Sequence, residues 1–358
     1  MLDDDIIISK RCKYSSVVND VKEVEPMPDK KAALTSIIPK GMDDGYGEML
    51  YLKSIQQGWF PTTIDADISV DVRHIHDKNL MDKNYMKLIR YTLAFFCVGD
   101  FVITTECLLE FLSKIDLFWA RAFYSNQVFI EFVHSHTYIK LAQEYFNNEF
   151  DDVVNMCQTN EILKVKLNFC TTYLTKPTGN ESEEESLLLL EEKLIVCACV
   201  EAIFFSALFA IIAFFKRKGL IPAFAKANEL IMADEWLHVV NGCHVIKVYC
   251  GKKSKKLLTI IKDACDIEKL FIKDMFKDVT IIGLNVHDYE VYVEYCTDIL
   301  LKELNEKPLF NVENPFPFMA VSDLVTNTMI FHRGSSVYVS PTIIEKEGGD
   351  NNNNIIWS

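Results

Sequence analysis

The sequence predicts an all-α fold in which long helices pack into a single bundle. Segments with helical periodicity follow one another from Tyr85 onward. Glycine and proline are scarce inside these segments and mark the connections between them. One segment is apolar all round, as expected at the centre of a large helical protein. The periodic segments cover residues 85–112, 115–148, 160–175, 187–217, 223–249, 254–276 and 286–304.

The two ends of the chain differ from the middle in composition. The first residues are mixed and contain Pro26, Pro28 and Pro39, so residues 1–45 are predicted to form a mobile N-terminal arm. Residues 46–320 are predicted to form the helical domain. Periodicity fades near its end, and the chain closes with glycines and four consecutive asparagines. Residues 321–358 are therefore predicted to form a flexible tail.

Composition limits the possible functions. The chain has 358 residues, enough to bury a sizeable core, and a net charge of −14. Binding to nucleic acid requires clustered Lys and Arg, so this charge argues against such a partner. The 11 cysteines are an odd number and include no C-x-x-C pair. Together with the absence of a signal-peptide pattern, they favour a cytoplasmic protein with buried, reduced thiols.

The segment from Leu194 to Phe215 is long enough and apolar enough to span a membrane. However, it contains Glu201, which would be costly in lipid. We see no second segment of this kind. A buried core helix therefore explains it better than a membrane span, provided that Glu201 has something to bind.

Two copies of Glu-x-x-His lie on predicted helices, at Glu131 and His134 and at Glu235 and His238. A spacing of three residues places the carboxylate and the imidazole on one helix face, where both can ligate the same metal pair. One such copy is weak evidence, because ordinary surface helices contain many. Here both copies have apolar neighbours, and buried acids and histidines must be paired or metal-bound.

Two further predicted helices carry an acid in apolar surroundings, Asp100 and Glu201. Either acid alone would more often be a surface residue or an ion-pair partner. Together with the two motifs they supply four carboxylates, which match the charge of two divalent cations, and two neutral imidazoles. This set resembles that of ferritin-like two-iron carboxylate bundles. Such oxygen-rich ligation suits iron, or manganese, better than structural zinc.

At these residues the chain resembles the small, radical-generating subunit of class I ribonucleotide reductase, from about Phe60 to Met319. The resemblance implies a ferritin-like helical bundle with a di-metal carboxylate site in its core. It assigns one iron to Asp100, Glu131 and His134, and the other to Glu201, Glu235 and His238. The matching stretches are Leu93–Phe96, Ala120–Tyr124, Val200–Ser206, Asn228–Ile231, Asp234-Glu235 and Glu313–Phe316.

Tyr138 falls at the place of the family's radical tyrosine. It follows Glu131 by seven residues, two turns along the same helix face. Phe205, Phe209 and Ile231 match the apolar pocket that shields the radical. The alternative for Tyr138 is an ordinary core tyrosine.

The resemblance implies that two iron ions, or manganese, use oxygen to generate a radical on Tyr138. The radical then passes to a cysteine of a separate large subunit, where ribonucleotides are reduced to deoxyribonucleotides. The expected partners are this large subunit and a second small subunit, in a homodimer or a heterodimer.

The expected path for radical transfer departs from the family. There, an Asp, a ligand His and a Trp form a hydrogen-bonded relay. Asp234 is present and can orient His134. Ile75 occupies the matching Trp position, and an isoleucine can neither be oxidised nor bond to Asp234. In the tail, Ser336 replaces the expected tyrosine, with Tyr338 nearby, and the last four residues lack the acidic-aromatic ending of eukaryotic relatives.

Three functions therefore remain open. The first is a small subunit that generates the radical. The second is a non-catalytic scaffold, a divergent second small subunit that pairs with a complete one. The third is a free-standing two-metal oxidase or iron-handling protein on the same bundle. Docking to a large subunit separates the third from the others, and radical yield separates the first from the second.

Overall fold

The computed structural model describes residues 40–173 and 181–319. Most of the predicted N-terminal arm and the whole of the predicted tail lie outside the described residues. Ser336, Tyr338 and the last four residues fall there too, so the expectations about the arm, the tail and its docking stay predictions.

The described residues form an all-α structure, as predicted, with one isolated bridge between Lys40 and Leu117. They contain twelve α-helices: α1 (Gly45–Gln56), α2 (Asp65–His76), α3 (Lys83–Ile103), α4 (Leu109–Lys114), α5 (Phe118–Phe146), α6 (Phe150–Thr159), α7 (Glu161–Tyr173), α8 (Glu183–Cys199), α9 (Ser206–Arg217), α10 (Pro222–Val245), α11 (Leu257–Phe276) and α12 (Val286–Glu303).

The seven periodic segments correspond to the long helices of the structure. Three helices, α1, α2 and α6, were not predicted. Each has at most 12 residues, too short for a clear helical period. Contacts with longer helices hold them in place: α1 and α2 pack on α5 and α10, and α6 packs on α3.

Two helical segments of the described chain are long and apolar enough to cross a membrane, Lys83–Lys114 and Glu183–Arg217. The expectation of a single such segment was therefore wrong. Their most apolar stretches are 67% and 100% buried inside the protein, respectively. Both segments thus serve as core helices, and the second carries Glu201 into the centre of the bundle.

Both of these core segments are interrupted by a π-turn, at Thr104–Leu108 and at Val200–Phe204. A π-turn widens the helix locally and re-aims the side chains around it, and such turns often mark functional sites. The first begins four residues after Asp100, whose carbonyl accepts the Thr104 hydroxyl at 2.8 Å. The second contains Glu201. Helical periodicity alone does not reveal these interruptions.

The start of α10 is fixed by a residue from another helix. Ile221 has φ +43°, a left-handed backbone that is strained for a β-branched residue, and Pro222 follows at the first helical position. The buried Asp71 of α2 accepts the backbone N–H groups of Ala223 and Phe224, both at 2.9 Å. It also accepts the Tyr145 hydroxyl of α5. One carboxylate therefore caps α10 and ties it to α2 and α5.

We expect Asp71→Ala to lower the free energy of unfolding by about 2–3 kcal/mol, because it removes a cap and leaves buried N–H groups without an acceptor. Urea denaturation measures this change. The control is Asp67→Ala on the same helix, where a partly exposed carboxylate is lost; its effect should be at most about 1 kcal/mol. Equal effects of the two substitutions would contradict the capping role.

Candidate metal centre

All six predicted ligands come together at one place in the bundle. α3, α5, the second π-turn and α10 deliver them, and each is at most 6% exposed. Their ligand atoms form two overlapping groups, within each of which the atoms lie within 4.8 Å of one another. One group is Asp100, Glu131, His134 and Glu235; the other is Glu131, Glu201, Glu235 and His238.

Glu131 and Glu235 belong to both groups, which the sequence did not reveal. Each carboxylate directs one oxygen to each histidine. Glu131 places Oε2 at 3.4 Å from Nδ1 of His134 and Oε1 at 3.1 Å from Nδ1 of His238. Glu235 places Oε1 at 2.9 Å and Oε2 at 3.4 Å from the same two nitrogens. Glu131 and Glu235 would therefore be shared between the two ions of a metal pair.

The ligand atoms suit divalent cations. Both oxygens of Asp100 and of Glu235, and Nδ1 of both histidines, are buried and make no hydrogen bond within the described chain. Leaving such groups unpaired in a protein interior is costly. The nitrogen–oxygen separations of 2.9 to 3.4 Å between the two imidazoles and the carboxylates of Glu131 and Glu235 leave these atoms close enough to hold a common ion. The residues present therefore fit two metal ions.

The electrostatics of the site favour the same conclusion. Burial, together with Glu131 and Glu235, raises the pKa of Asp100 well above its usual value. Burial likewise raises the pKa of Glu201. Burial alone would lower the pKa of His134, but the neighbouring carboxylates of Asp234, Glu131 and Glu235 raise it well above its usual value. The carboxylates thus create a strong demand for positive charge, which two dications satisfy without added protons.

Gln127 is a functional residue that sequence reasoning missed. It is buried and donates its amide to Glu201 Oε1 at 2.7 Å and to Glu131 Oε1 at 3.2 Å. Its position four residues before Glu131, on the same helix face, was the available signal. Gln127 links a bridging ligand to the ligand on the π-turn and so limits the orientations of both.

The structure corrects the expectation for Asp234. Its Oδ2 lies 3.1 Å from Nε2 of His134, as predicted for a residue that orients this ligand. The same oxygen accepts the indole N–H of Trp59 at 2.8 Å. The expectation that Ile75 leaves Asp234 without a Trp partner is therefore wrong. Trp59 lies 16 residues before Ile75, outside the predicted helices.

The contact with Asp234 also bears on which ring nitrogen of His134 carries the proton. If Nε2 carries the proton and donates it to Asp234, the lone pair of Nδ1 faces the carboxylates and a metal ion. The rings of Trp59 and His134 are nearly parallel, with centroids 5.9 Å apart. Trp119 does not take part in this path; its indole N–H donates to the carbonyl of Met42 at 3.1 Å.

Tyr138 lies in a buried pocket lined by aromatic rings. It is fully buried, and its hydroxyl has no hydrogen-bond partner among the described residues. Burial, and then the charges of Asp100, Glu235 and Glu131, raise its pKa well above the usual value, so the hydroxyl keeps its proton.

The predicted pocket residues lie near Tyr138, but the ring packed closest against the Tyr138 ring is that of Phe96, which was not predicted. The ring of Phe96 lies 4.5 Å from that of Tyr138, centroid to centroid, and Phe205 and Phe209 pack on Phe96 at 5.4 and 5.5 Å. Phe224, also not predicted, lies 6.4 Å from Tyr138. Ile231 is fully buried in the same core cluster.

Comparison with known proteins agrees with this geometry. The sequence profile of the family "Ribonucleotide reductase, small chain" matches residues 41–315. The chain belongs to this family. The ribonucleoside-diphosphate reductase small chain of Encephalitozoon cuniculi is 29% identical over 331 residues, covering 92% of this chain and 96% of the relative. This small-chain family has the ferritin-like fold and binds a dinuclear metal centre.

Solved structures support the fold. The dimanganese(II)-NrdF of Streptococcus sanguinis has a TM-score of 0.67 at 16% identity, covering 78% of this chain and 95% of that chain. The Rnr4 homodimer of Saccharomyces cerevisiae has a TM-score of 0.62 at 19% identity, covering 87% of this chain and 91% of that chain. Both confirm the ferritin-like bundle predicted for this small chain.

We expect metal ions to stabilise the folded chain, because the unfolded chain lacks the assembled ligands. Free Mn²⁺ at one hundred times its dissociation constant should raise the free energy of unfolding by about 2.7 kcal/mol per site. Glu235→Ala should abolish this gain, since Glu235 belongs to both groups. Glu229→Ala, at an exposed position of α10, is the control. Unfolding curves with Mn²⁺ and with chelator measure the difference, and an undiminished gain in Glu235→Ala would contradict the ligand set.

Proposed function

We propose that this chain is the radical-generating small subunit of ribonucleoside-diphosphate reductase. The observation that carries the proposal is the combination of three features in one bundle. These are a complete ligand set, a Tyr138 buried among aromatic rings, and a hydrogen-bonded path through Trp59. The ligands hold two iron ions, with manganese as the alternative. The ions supply the chemistry of oxygen reduction when bound.

The role of Tyr138 in this proposal is to give up an electron and its hydroxyl proton, both of which are taken up by the oxygen that is reduced at the site. No described residue accepts a hydrogen bond from the Tyr138 hydroxyl, so no such acceptor competes for its proton. The surrounding rings exclude water and small reductants, which protects an oxidised tyrosine. The apolar pocket of Phe96, Phe205, Phe209 and Ile231 is therefore the protecting part of the site.

The second part of the proposal concerns delivery. His134, Asp234 and Trp59 form a continuous path from a ligand to an indole, with bonds of 3.1 and 2.8 Å. Trp59 is buried, but its neighbour Phe60 is 62% exposed, so the path ends close to the surface. We propose that an electron from the large subunit reaches the oxidised site through Trp59, with Asp234 holding the associated proton.

The partners in this proposal are the large subunit and a second small subunit. Phe101 of α3 and Phe129 and Phe132 of α5 are about half exposed, although large aromatic side chains usually lie inside. Exposed aromatic side chains of this kind support a dimer, either homotypic or with another small subunit. The ten described cysteines are all buried and unpaired, which supports a cytoplasmic location.

The scaffold alternative loses one of its arguments. It depended partly on Ile75 at the expected position of the relay Trp, and Trp59 now occupies the hydrogen bond to Asp234. The other argument, the altered tail, concerns residues beyond the described range. Radical yield decides between the two functions.

We expect a tyrosyl signal in the electron paramagnetic resonance spectrum after anaerobic ferrous loading and exposure to oxygen. Tyr138→Phe should abolish it. Tyr124→Phe is the matched control, because Tyr124 is also buried with an unpartnered hydroxyl but belongs to no predicted pocket. No signal in the wild-type chain with two bound irons would favour the scaffold. A signal that survives Tyr138→Phe would place the radical elsewhere.

We expect Trp59→Phe to form the radical but to lose at least about 100-fold of ribonucleotide reduction with a large subunit, because phenylalanine is hard to oxidise and cannot donate to Asp234. Radical yield and turnover are measured on the same preparation. Trp119→Phe is the control and should retain both. Normal turnover in Trp59→Phe would exclude the path through this indole.

A further inference from the structure

A fully buried ion pair lies outside the metal site. Lys166 of α7 and Glu268 of α11 are both 0% exposed, with Nζ and Oε2 2.7 Å apart. Burial lowers the pKa of Lys166 to about 8 and raises that of Glu268 to about 7, so the interior disfavours both charges. Replacing such pairs with apolar residues is often neutral or stabilising. A role beyond general stability would explain the presence of this pair.

The Lys166 ammonium makes a further contact that suggests this role. Nζ donates a hydrogen bond to the carbonyl of Phe204 at 2.7 Å. It also lies 3.8 Å from the ring centroid of Phe95 and 3.9 Å from that of Phe271. One cation therefore connects Glu268 and two aromatic rings to a single backbone carbonyl.

This carbonyl belongs to the last residue of the π-turn Val200–Phe204. At a π-turn the regular ladder of backbone hydrogen bonds is interrupted, and carbonyl groups need other donors. The preceding carbonyl, of Ile203, accepts the Ser206 hydroxyl at 2.7 Å. Both carbonyls at the end of the turn thus receive a side-chain donor, and Lys166 supplies one of them from a different helix.

The π-turn determines where Glu201 points. Each residue of a regular helix turns the chain by about 100°, so an altered register would rotate Glu201 relative to the other ligands. Glu201 lies three residues before Phe204, within the same turn, and Phe205 of the tyrosine pocket follows directly. A fixed Phe204 carbonyl therefore constrains a metal ligand on one side and the aromatic pocket on the other.

We propose that Lys166 is a positioning residue, which Glu268 holds in place and which clamps the π-turn so that Glu201 faces the second metal group. The inference rests on the proposed two-metal site. Lys166 touches neither the ligands nor Tyr138 in this arrangement; it acts through the Phe204 carbonyl. The competing explanation is that the pair only holds α7 and α11 together.

Two variants separate these explanations. Lys166→Met/Glu268→Leu removes both charges and the donor to Phe204. Glu268→Gln keeps the Lys166 amino group, which can donate to the carbonyl whether or not it is protonated. The control is Lys269→Met/Glu294→Leu, because this partly buried ion pair also involves α11 but does not contact the π-turn. Each protein is titrated with Mn²⁺ alone, with free ion counted by electron paramagnetic resonance, and its thermal unfolding is followed by circular dichroism.

The positioning role predicts opposite effects in the two variants. Lys166→Met/Glu268→Leu should unfold within a few degrees of the wild-type midpoint but bind one of two Mn²⁺ ions at least tenfold more weakly. Glu268→Gln should unfold at lower temperature, because it removes the charge that compensates Lys166, yet bind both ions with wild-type affinity, because the glutamine oxygen still accepts a hydrogen bond from Lys166. The control should also bind both.

The other outcomes overturn the inference. Two unchanged sites in folded Lys166→Met/Glu268→Leu would show that the clamp does not position Glu201. Failure of this variant to fold would show that the pair serves the whole core instead. Loss of a Mn²⁺ site in Glu268→Gln, which keeps the Lys166 amino group, would show that Lys166 does not position Glu201. If the wild-type chain itself binds no pair of ions, the proposed function fails first, and the inference fails with it.

Discussion

The burial of four carboxylates in an apolar helical bundle is the constraint on which the rest of the structure depends. Asp100, Glu131, Glu201 and Glu235 cannot all remain charged there without compensation, and the two histidines carry too little charge to balance them. Two divalent cations would resolve this conflict. Glu131 and Glu235 belong to both groups of ligand atoms and would hold the two cations together. The charge deficit and the geometry thus lead independently to a paired metal site.

A site of this kind requires an exact backbone, and the fold provides it with contacts from outside the ligand set. Asp71 fixes the first turn of α10, and with it the helix that carries Glu235 and His238. Gln127 connects the ligand on the π-turn to a ligand on α5. Each device is itself buried, because a partner exposed to water would hold its group only weakly. The residues that hold the candidate metal ligands in position therefore lie directly outside the ligand set.

The candidate ligands of the two Glu-x-x-His motifs and the long helices could be predicted because both depend on regular spacing. The spacing in Glu-x-x-His indicates that both residues share a helix face, and their apolar neighbours indicate that this face is buried. The residues that escaped prediction act across the fold. Trp59 meets Asp234 over 175 residues of chain, and Lys166 meets Phe204 over 38. No local pattern encodes such contacts. Ile75 illustrates the resulting error, since an alignment by short motifs selected a position in α2 instead of the indole that bonds to Asp234.

Under the proposed function, the positions of Tyr138 and Trp59 would allow one site both to keep and to release an oxidising equivalent. Tyr138 is surrounded by rings and has no hydrogen-bond partner in the described chain, so no described residue offers its hydroxyl a proton acceptor. Trp59 is connected through Asp234 to a ligand and adjoins an exposed residue, so it is suited to exchange with a partner. A scaffold subunit needs neither feature. Under the proposed function both features have a use, whereas assembly alone gives no reason for the hydrogen bond between Trp59 and Asp234 or for the aromatic pocket around Tyr138.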